Sequence, residues 1–397
     1  MAASETLFPQ EQLQSTLRTL KQFSIGLPTE ISPDENRIAL VPSAVSLLVQ
    51  NGHRIIVQRN AGIPAHFSNT DYADAGAEIV DSAEEVFKAD IILKVAPLRE
   101  NELEFLRPRQ IIISAIQAVN QNKEYFKKLL AKKMNALAFE LIKDNSNAYP
   151  VLRATSEIAG TTSILIAAEY LSHSELGRGS MLGGFPGINP SEVVILGAGT
   201  VGEYAARTAL GMGALVKVFD DKIYKLRALQ QNLGQRLFTS IMQPEVLYKS
   251  LRTADVAIGA MHTHEGRTPL FVSETIVSQM KKGAVIIDVS IDQGGCFETS
   301  RPTSHSNPVF QTFGVTHYCV PNIASKVPHT ASYALSNVFT PILLQIGFAG
   351  GLETYLRQEP GVRQGVYILN GTLTSKFIGD FFQIPSQDIE LLMAAFH

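Results

Sequence analysis

Glu192-Val193-Val194-Ile195-Leu196-Gly197-Ala198-Gly199-Thr200-Val201-Gly202 is the stretch whose reading decides the fold. Apolar residues lead into G-x-G-x-x-G, and a helix-like run over 203–211 follows. That order reads as strand, tight turn and helix. Gly197 permits the turn, Gly199 has no side chain to block a pyrophosphate, and Gly202 lets the helix pack close to the strand. A phosphate then sits at the positive N-terminus of the helix. A lone glycine motif is weak evidence, but here the next apolar run, 214–219, ends at Asp220. A carboxylate at that point meets the ribose hydroxyls and repels a 2′-phosphate, so the spacing predicts an NAD site rather than an NADP site. Asp221 adds to the repulsion. Lys225 either flanks the adenosine or is an ordinary solvated helix lysine.

Outward from this motif, short apolar runs recur at helix-length intervals. The first set covers 24–27, 54–58, 90–95, 110–116 and 136–141; the second covers 192–196, 214–219, 255–260, 284–289 and 316–320. None alternates strictly, as expected of strands covered on both faces in a parallel sheet. Two such sets predict an α/β fold of two Rossmann-like, doubly wound domains with a cleft between them. Two helices are expected to join them. One is capped by Thr155 or Ser156; the other starts near His329 and is kinked at Pro341. The NAD-binding domain is then 151–329. The outer, substrate domain is discontinuous, 1–150 plus 330–397. The five glycines and two prolines of 177–190 read as a surface loop without a P-loop lysine.

Composition sets the class of partner. The chain has 397 residues, 45% apolar and 18% charged, with a net charge of −3 and no basic stripe, which argues against nucleic acid. No apolar stretch reaches membrane-span length, and the first 14 residues lack the pattern of a signal peptide. Two cysteines, Cys296 and Cys319, fit buried thiols in a reducing cytoplasm rather than a disulfide framework. His262 and His264 lie near the expected cofactor edge, but no third ligand at suitable spacing accompanies them, so no metal site is expected.

At this point the chain resembles the alanine dehydrogenase family, with its relative the NAD-binding transhydrogenase subunit. The likeness rests on Ser24-Ile25-Gly26-Leu27-Pro28-Thr29-Glu30, Asn36-Arg37-Ile38-Ala39-Leu40-Val41-Pro42 and Met181-Leu182-Gly183-Gly184-Phe185-Pro186-Gly187. It is completed by Ile291-Asp292-Gln293-Gly294-Gly295-Cys296-Phe297-Glu298, Ser300-Arg301-Pro302-Thr303 and Tyr318-Cys319-Val320. The resemblance implies NAD-dependent, reversible conversion of an amino acid to a 2-keto acid in a homo-oligomer, commonly a hexamer. It implies that Arg37 holds the substrate carboxylate, Lys94 contacts the keto or imino oxygen, and Asp292 orients the amine and a water. It also implies that Ser156 contacts the cofactor phosphates and that Asn322 lines the nicotinamide pocket. Read from its residues alone, Lys94 closes an apolar strand, where ligands meet open α/β sheets, and burial is expected to lower its pKa.

One departure matters most. The family's catalytic histidine falls on Gln117, which hydrogen-bonds a carbonyl but cannot shuttle a proton near neutrality. The family's Lys-Val-Lys-Glu-Pro is Lys94-Val95-Ala96-Pro97 here, and its Asn-Met-Pro loop is Asn322-Ile323-Ala324. Oxidative deamination of L-alanine is the leading expectation. These changes leave open another amino acid or a saccharopine-like adduct as substrate, or a catalytically silent NAD-binding relative.

Overall fold

In the computed structural model, residues 21–262 and 270–395 are described. In chain order the strands are β1 (Ser24–Leu27), β2 (Arg54–Gln58), β3 (Glu78–Val80), β4 (Ile91–Leu93), β5 (Ile111–Ser114), β6 (Asn135–Ala138), β7 (Glu192–Leu196) and β8 (Leu215–Phe219). Then come β9 (Phe238–Ser240), β10 (Val256–Gly259), β11 (Val285–Asp288), β12 (Val309–Thr312), β13 (Val315–Tyr318), β14 (Val366–Leu369) and β15 (Thr372–Leu373). They form two sheets, ordered β15-β14-β6-β5-β4-β1-β2-β3 and β12-β13-β11-β10-β7-β8-β9.

Both sheets carry the doubly wound order. With only its parallel strands counted, each runs 3-2-1-4-5-6. Each gains an antiparallel extension, β14–β15 beside β6 in one and β12 beside β13 in the other. The central strands are buried along their whole length, which is why they read as unbroken Ile, Val and Leu runs. The order reverses between β1 and β4 in the first sheet and between β7 and β10 in the second. A crevice opens at the carboxyl ends of the strands at each reversal, and ligands bind there in such sheets.

The helices that matter here are α1 (Pro42–Gln50), α2 (Lys123–Ala131), α3 (Pro150–Ser172), α4 (Thr200–Gly211), α5 (Ile223–Leu233) and α6 (Pro328–Phe348). The expectation of a cap at Thr155 or Ser156 is corrected: α3 starts at Pro150, and both residues lie within it. Proline at the first helical position lacks an N–H that would be unpaired anyway, and its fixed φ starts the helix a turn early. Thr155 Oγ1 instead donates back to the carbonyl of Val151 at 2.9 Å. Helix α6 continues through Pro341. The loop after β1 is tied to the segment past β13 and to α6. Asn36, Ile38 and Val41 donate backbone N–H groups to the hydroxyls of Ser325, Ser332 and Ser336, each at 2.8–2.9 Å. Among the described residues no single helix is long and apolar enough to cross a membrane.

Candidate active site

The glycine motif has the geometry its spacing predicts. Gly197 sits at φ +113°, and a side chain there would strike the carbonyl of Ala260 on the neighbouring strand. A Cβ on Gly202 would strike the carbonyl of Gly197, so helix and turn touch backbone to backbone. A Cβ on Gly199 would meet nothing within 4 Å, and Gly199 caps α4. Open space thus faces free N–H groups at a helix start, a cradle suited to a pyrophosphate. Ser156 shares a face of α3 with Gly160, which packs on Val201 and Tyr204 in the first turn of α4. The half-buried Ser156 therefore lies one turn from that cradle.

Asp220 is fully buried at the end of β8. Its Oδ2 accepts the N–H of Ala198 at 2.8 Å and its Oδ1 that of Lys222 at 2.9 Å, so it ties the glycine turn to β8. Lys225, on α5, is 3.9 Å from the same carboxylate.

At the switch point of the other sheet, Lys94 directly follows β4 and is only 1% exposed. Its Nζ lies 3.1 Å from Glu30 and 2.8 Å from Glu102. Glu30, just past β1, is fixed by accepting the N–H groups of Val95 at 2.5 Å and Ala96 at 3.3 Å. The expected fall in the lysine's pKa is overturned. Burial pulls it down, but the two carboxylates outweigh burial and raise it, so Lys94 stays an ammonium. Burial, with the nearby Glu35 charge, in turn raises the Glu30 carboxyl against the pull of Lys94.

Arg37 is nearly buried and faces inward. Its Nε and Nη2 donate to Glu35 at 2.7 and 2.6 Å, one edge of the fork against one carboxylate. Glu35 also accepts from Asn322 Nδ2 at 2.9 Å, and the Asn322 N–H reaches Asp292 Oδ1 at 3.3 Å. Asn322 holds this pose in the left-handed region, φ +58°. A polar chain thus crosses from the β1 loop to the ends of β11 and β13. Asp292 follows β11 on a one-turn helix, Val289–Gln293. It is open to solvent along the crevice yet set deep among protein atoms. Desolvation lifts its carboxyl to about 6, against the pull of the Asn322 N–H and Arg37. The buried Asp288 anchors this loop by accepting from Ser290, Cys296 and Ser300 at 2.7–3.1 Å.

Gln117 is exposed, just past β5, in the left-handed region at φ +45°. Its N–H and that of Ile116 donate to Glu140 Oε1 at 3.1 and 2.7 Å. Both cysteines are buried free thiols, and burial pushes each up to about 12. His264 lies outside the described residues. Among those described, no cluster of three or more His, Cys, Asp or Glu is arranged for a metal ion.

Glu30, Glu35, Glu102 and Glu140 were not singled out by sequence reasoning. For Glu30 a signal existed, since it follows β1 at a switch point just as Lys94 follows β4. The others gain their place only through tertiary contact.

Two doubly wound α/β sheets, one with a glycine cradle at its switch point and the other with Glu30 and Lys94 at its own, define a class of two-domain proteins that bind ligands at such crevices. Models of the alanine dehydrogenase/PNT N-terminal and C-terminal domains match residues 26–159 and 163–376, and the chain belongs to the alanine dehydrogenase/PNT family. It is 38% identical to the alanine dehydrogenase of Methanococcus maripaludis over 363 residues, 91% of this chain and 97% of that one. It is 37% identical to that of Mycolicibacterium smegmatis over 371 residues, 93% of this chain and all of the other. A solved L-alanine dehydrogenase superposes with a TM-score of 0.85 at 35% identity, covering 91% of this chain and 99% of its own. The transhydrogenase of Sinorhizobium meliloti shares the fold, with a TM-score of 0.76 at 21% identity over 89% and 99% of the two chains.

Proposed function

We propose that the chain is an NAD-dependent oxidoreductase that converts L-alanine, water and NAD reversibly to pyruvate and ammonium. The observation that carries the reading is the gathering of Arg37, Lys94, Asn322 and Asp292 around one crevice, within a chain like named alanine dehydrogenases over nine-tenths of its length. When bound, NAD supplies the hydride acceptor. The Gly197, Gly199 and Gly202 turn with Ser156 would hold its pyrophosphate, and the charge of Asp220 and Asp221 selects against a 2′-phosphate. Lys225 flanks that edge.

Each side chain then has a task set by its surroundings. Glu35 holds the Nε edge of Arg37 and so aims the remaining Nη1–Nη2 edge, whose planar fork fits a substrate carboxylate. Lys94, kept charged, polarises the substrate oxygen rather than acting as a neutral base. Asp292, titrating near neutrality, takes a proton from the amine or from water. Gln117 donates a hydrogen bond only. Burial of Lys94 and Glu35 keeps water from the reacting centre once the cleft is closed. Assembly into a homo-oligomer and a place in the cytoplasm belong to the same proposal.

NADH formation, followed on a panel of L-amino acids and saccharopine with NAD and NADP, tests it. L-Alanine with NAD is expected to give the highest kcat/KM. A clear preference for another substrate, or NAD binding without turnover on any, refutes the assignment.

A further inference from the structure

The loop between β1 and α1 carries Arg37, and its two ends are held on the side of the first sheet. Glu30 accepts from Val95 and Ala96 past β4, and Ile38 donates to Ser332 on α6. Between those ends, three successive residues reach to segments that follow strands of the second sheet. Asp34 Oδ1 accepts the N–H of His305 at 3.1 Å, Glu35 Oε2 accepts from Asn322 Nδ2 at 2.9 Å, and the Asn36 N–H donates to Ser325 Oγ at 2.9 Å. The three grips stand on one platform at the end of β13. The N–H of Thr303, two residues before His305, donates to the carbonyl of Cys319 at 3.0 Å, and that of Ser325 donates to the carbonyl of Asn322 at 2.8 Å. The contact is closed to water: the Glu35 side chain is 5% exposed, and His305 Nε2 is buried without a protein partner, so the backbone N–H and not the imidazole makes the grip. Asp34 sits in the left-handed region at φ +61°, which Asp and Asn adopt more readily than other side chains. Glu35 passes the grip on to Arg37. Its Oε1 accepts the Arg37 N–H at 3.1 Å and Nε at 2.7 Å, and its Oε2 accepts Nη2 at 2.6 Å. On the far side, the Asn322 N–H donates to Asp292 Oδ1 at 3.3 Å. Hydrogen bonds therefore run without a break from the guanidinium after β1 to the carboxylate after β11.

We propose that residues 34–36 form a coupling strap, with Asp34 and Glu35 as positioning residues that set the place of Arg37 from the second sheet. The inference rests on the amino-acid dehydrogenase reading. A cofactor held on the second sheet steadies the strand-end loops that carry Asp292 and Asn322. Through the strap the same steadying fixes Arg37, so the carboxylate of the 2-keto acid meets a guanidinium already in place. Two ligands that favour one arrangement of a shared element bind more tightly together than apart, and the gain is the same whichever binds first. Coupling of this kind typically amounts to about 5–150-fold in affinity. A strap that served packing alone would act differently: its loss would weaken substrate binding equally with and without cofactor.

The test is calorimetric binding of pyruvate, without ammonium so that no amination follows, to the free protein and to protein saturated with NADH. Wild type is expected to bind pyruvate at least about fivefold more tightly when NADH is present. Glu35→Gln turns an amide N–H₂ toward hydrogen-bond donors in either orientation and should bring that ratio close to unity. Asp34→Gly keeps the left-handed backbone and removes only the acceptor for His305, so the fold is kept. It should lower the ratio and raise KM for L-alanine while kcat stays within about twofold of wild type. Asp34→Asn keeps both the backbone preference and an acceptor oxygen, and should restore the wild-type ratio. NADH affinity without pyruvate should be the same in all four proteins. A ratio near unity in wild type, a ratio left unchanged by Glu35→Gln or by Asp34→Gly, or an Asp34→Asn protein as impaired as Asp34→Gly overturns the strap. A wild-type protein that binds no pyruvate beside NADH and turns over no amino acid overturns instead the activity on which it rests.

Discussion

Lys94→Met keeps the aliphatic stem of a side chain only 1% exposed and removes its charge. Glu30 and Glu102, with side chains 7% and 4% exposed, then lose the single cation within 3.1 Å. Breaking a buried pair from one side costs about 3–5 kcal/mol, because an uncompensated charge remains. At roughly 2–4 °C per kcal/mol for a domain of this size, melting of the first sheet's domain falls by about 10 °C near pH 8. The deficit depends on pH. Glu30 is already raised by burial, and without Lys94 it loses the charge that most lowers it, so its folded pKa lies still further above the unfolded one. Such groups stabilise at low pH and lose that contribution as pH rises through the folded value. The deficit therefore shrinks between pH 8 and pH 5 as Glu30 takes up a proton. Lys94 has a raised pKa in the wild type, so its own contribution is intact across this window and is lost only at far higher pH. The assay is thermal unfolding of ligand-free wild type, Lys94→Met and Lys94→Met/Glu102→Gln at both pH values and one scan rate. Glu102→Gln should recover part of the loss at pH 8. A single variant that melts with wild type, or a deficit equal at both pH values, refutes the buried-charge argument.

The remaining predictions concern the crevice. Desolvation lifts Asp292 to about 6, so kcat/KM for alanine should fall as pH drops through about 6; Asp292→Asn should lose about 10²-fold or more at pH 8 and that acid limb with it, as rate profiles will show. Gly199→Ala adds a Cβ that meets nothing, so calorimetry should find melting unchanged while NAD binds at least tenfold more weakly. Gly202→Ala drives its Cβ into the carbonyl of Gly197 and should lower melting as well as affinity.

How much of this was legible in the sequence depended on whether the signal was local. The ten central strands were, because two-sided burial writes itself as short apolar runs. Strands β3 and β9 were not, being three residues long and partly exposed at the sheet edges. β14 and β15 did carry a signal that went unread: Asn370-Gly371 between them, at φ +50° and +80°, is the two-residue turn of a hairpin. The start of α3 was misplaced because Ser and Thr invite a cap reading, whereas Pro150 alone sets the first turn. Arg37, Lys94 and Asp292 were found through motif and strand position, but the charge of Lys94 was misjudged. Its carboxylate partners come from residues 64 before and eight after it, and no window along the chain pairs them. Glu140 was invisible for the same reason.

The most direct test of the account is a single turnover with L-alanine carrying deuterium at Cα, with the mass of the reduced cofactor read afterwards. If Arg37, Lys94 and Asp292 hold alanine with its Cα–H bond toward the nicotinamide, the NADH formed is one mass unit heavier and pyruvate appears in equal amount. Unlabelled NADH, or none, would mean that the crevice does not perform this chemistry.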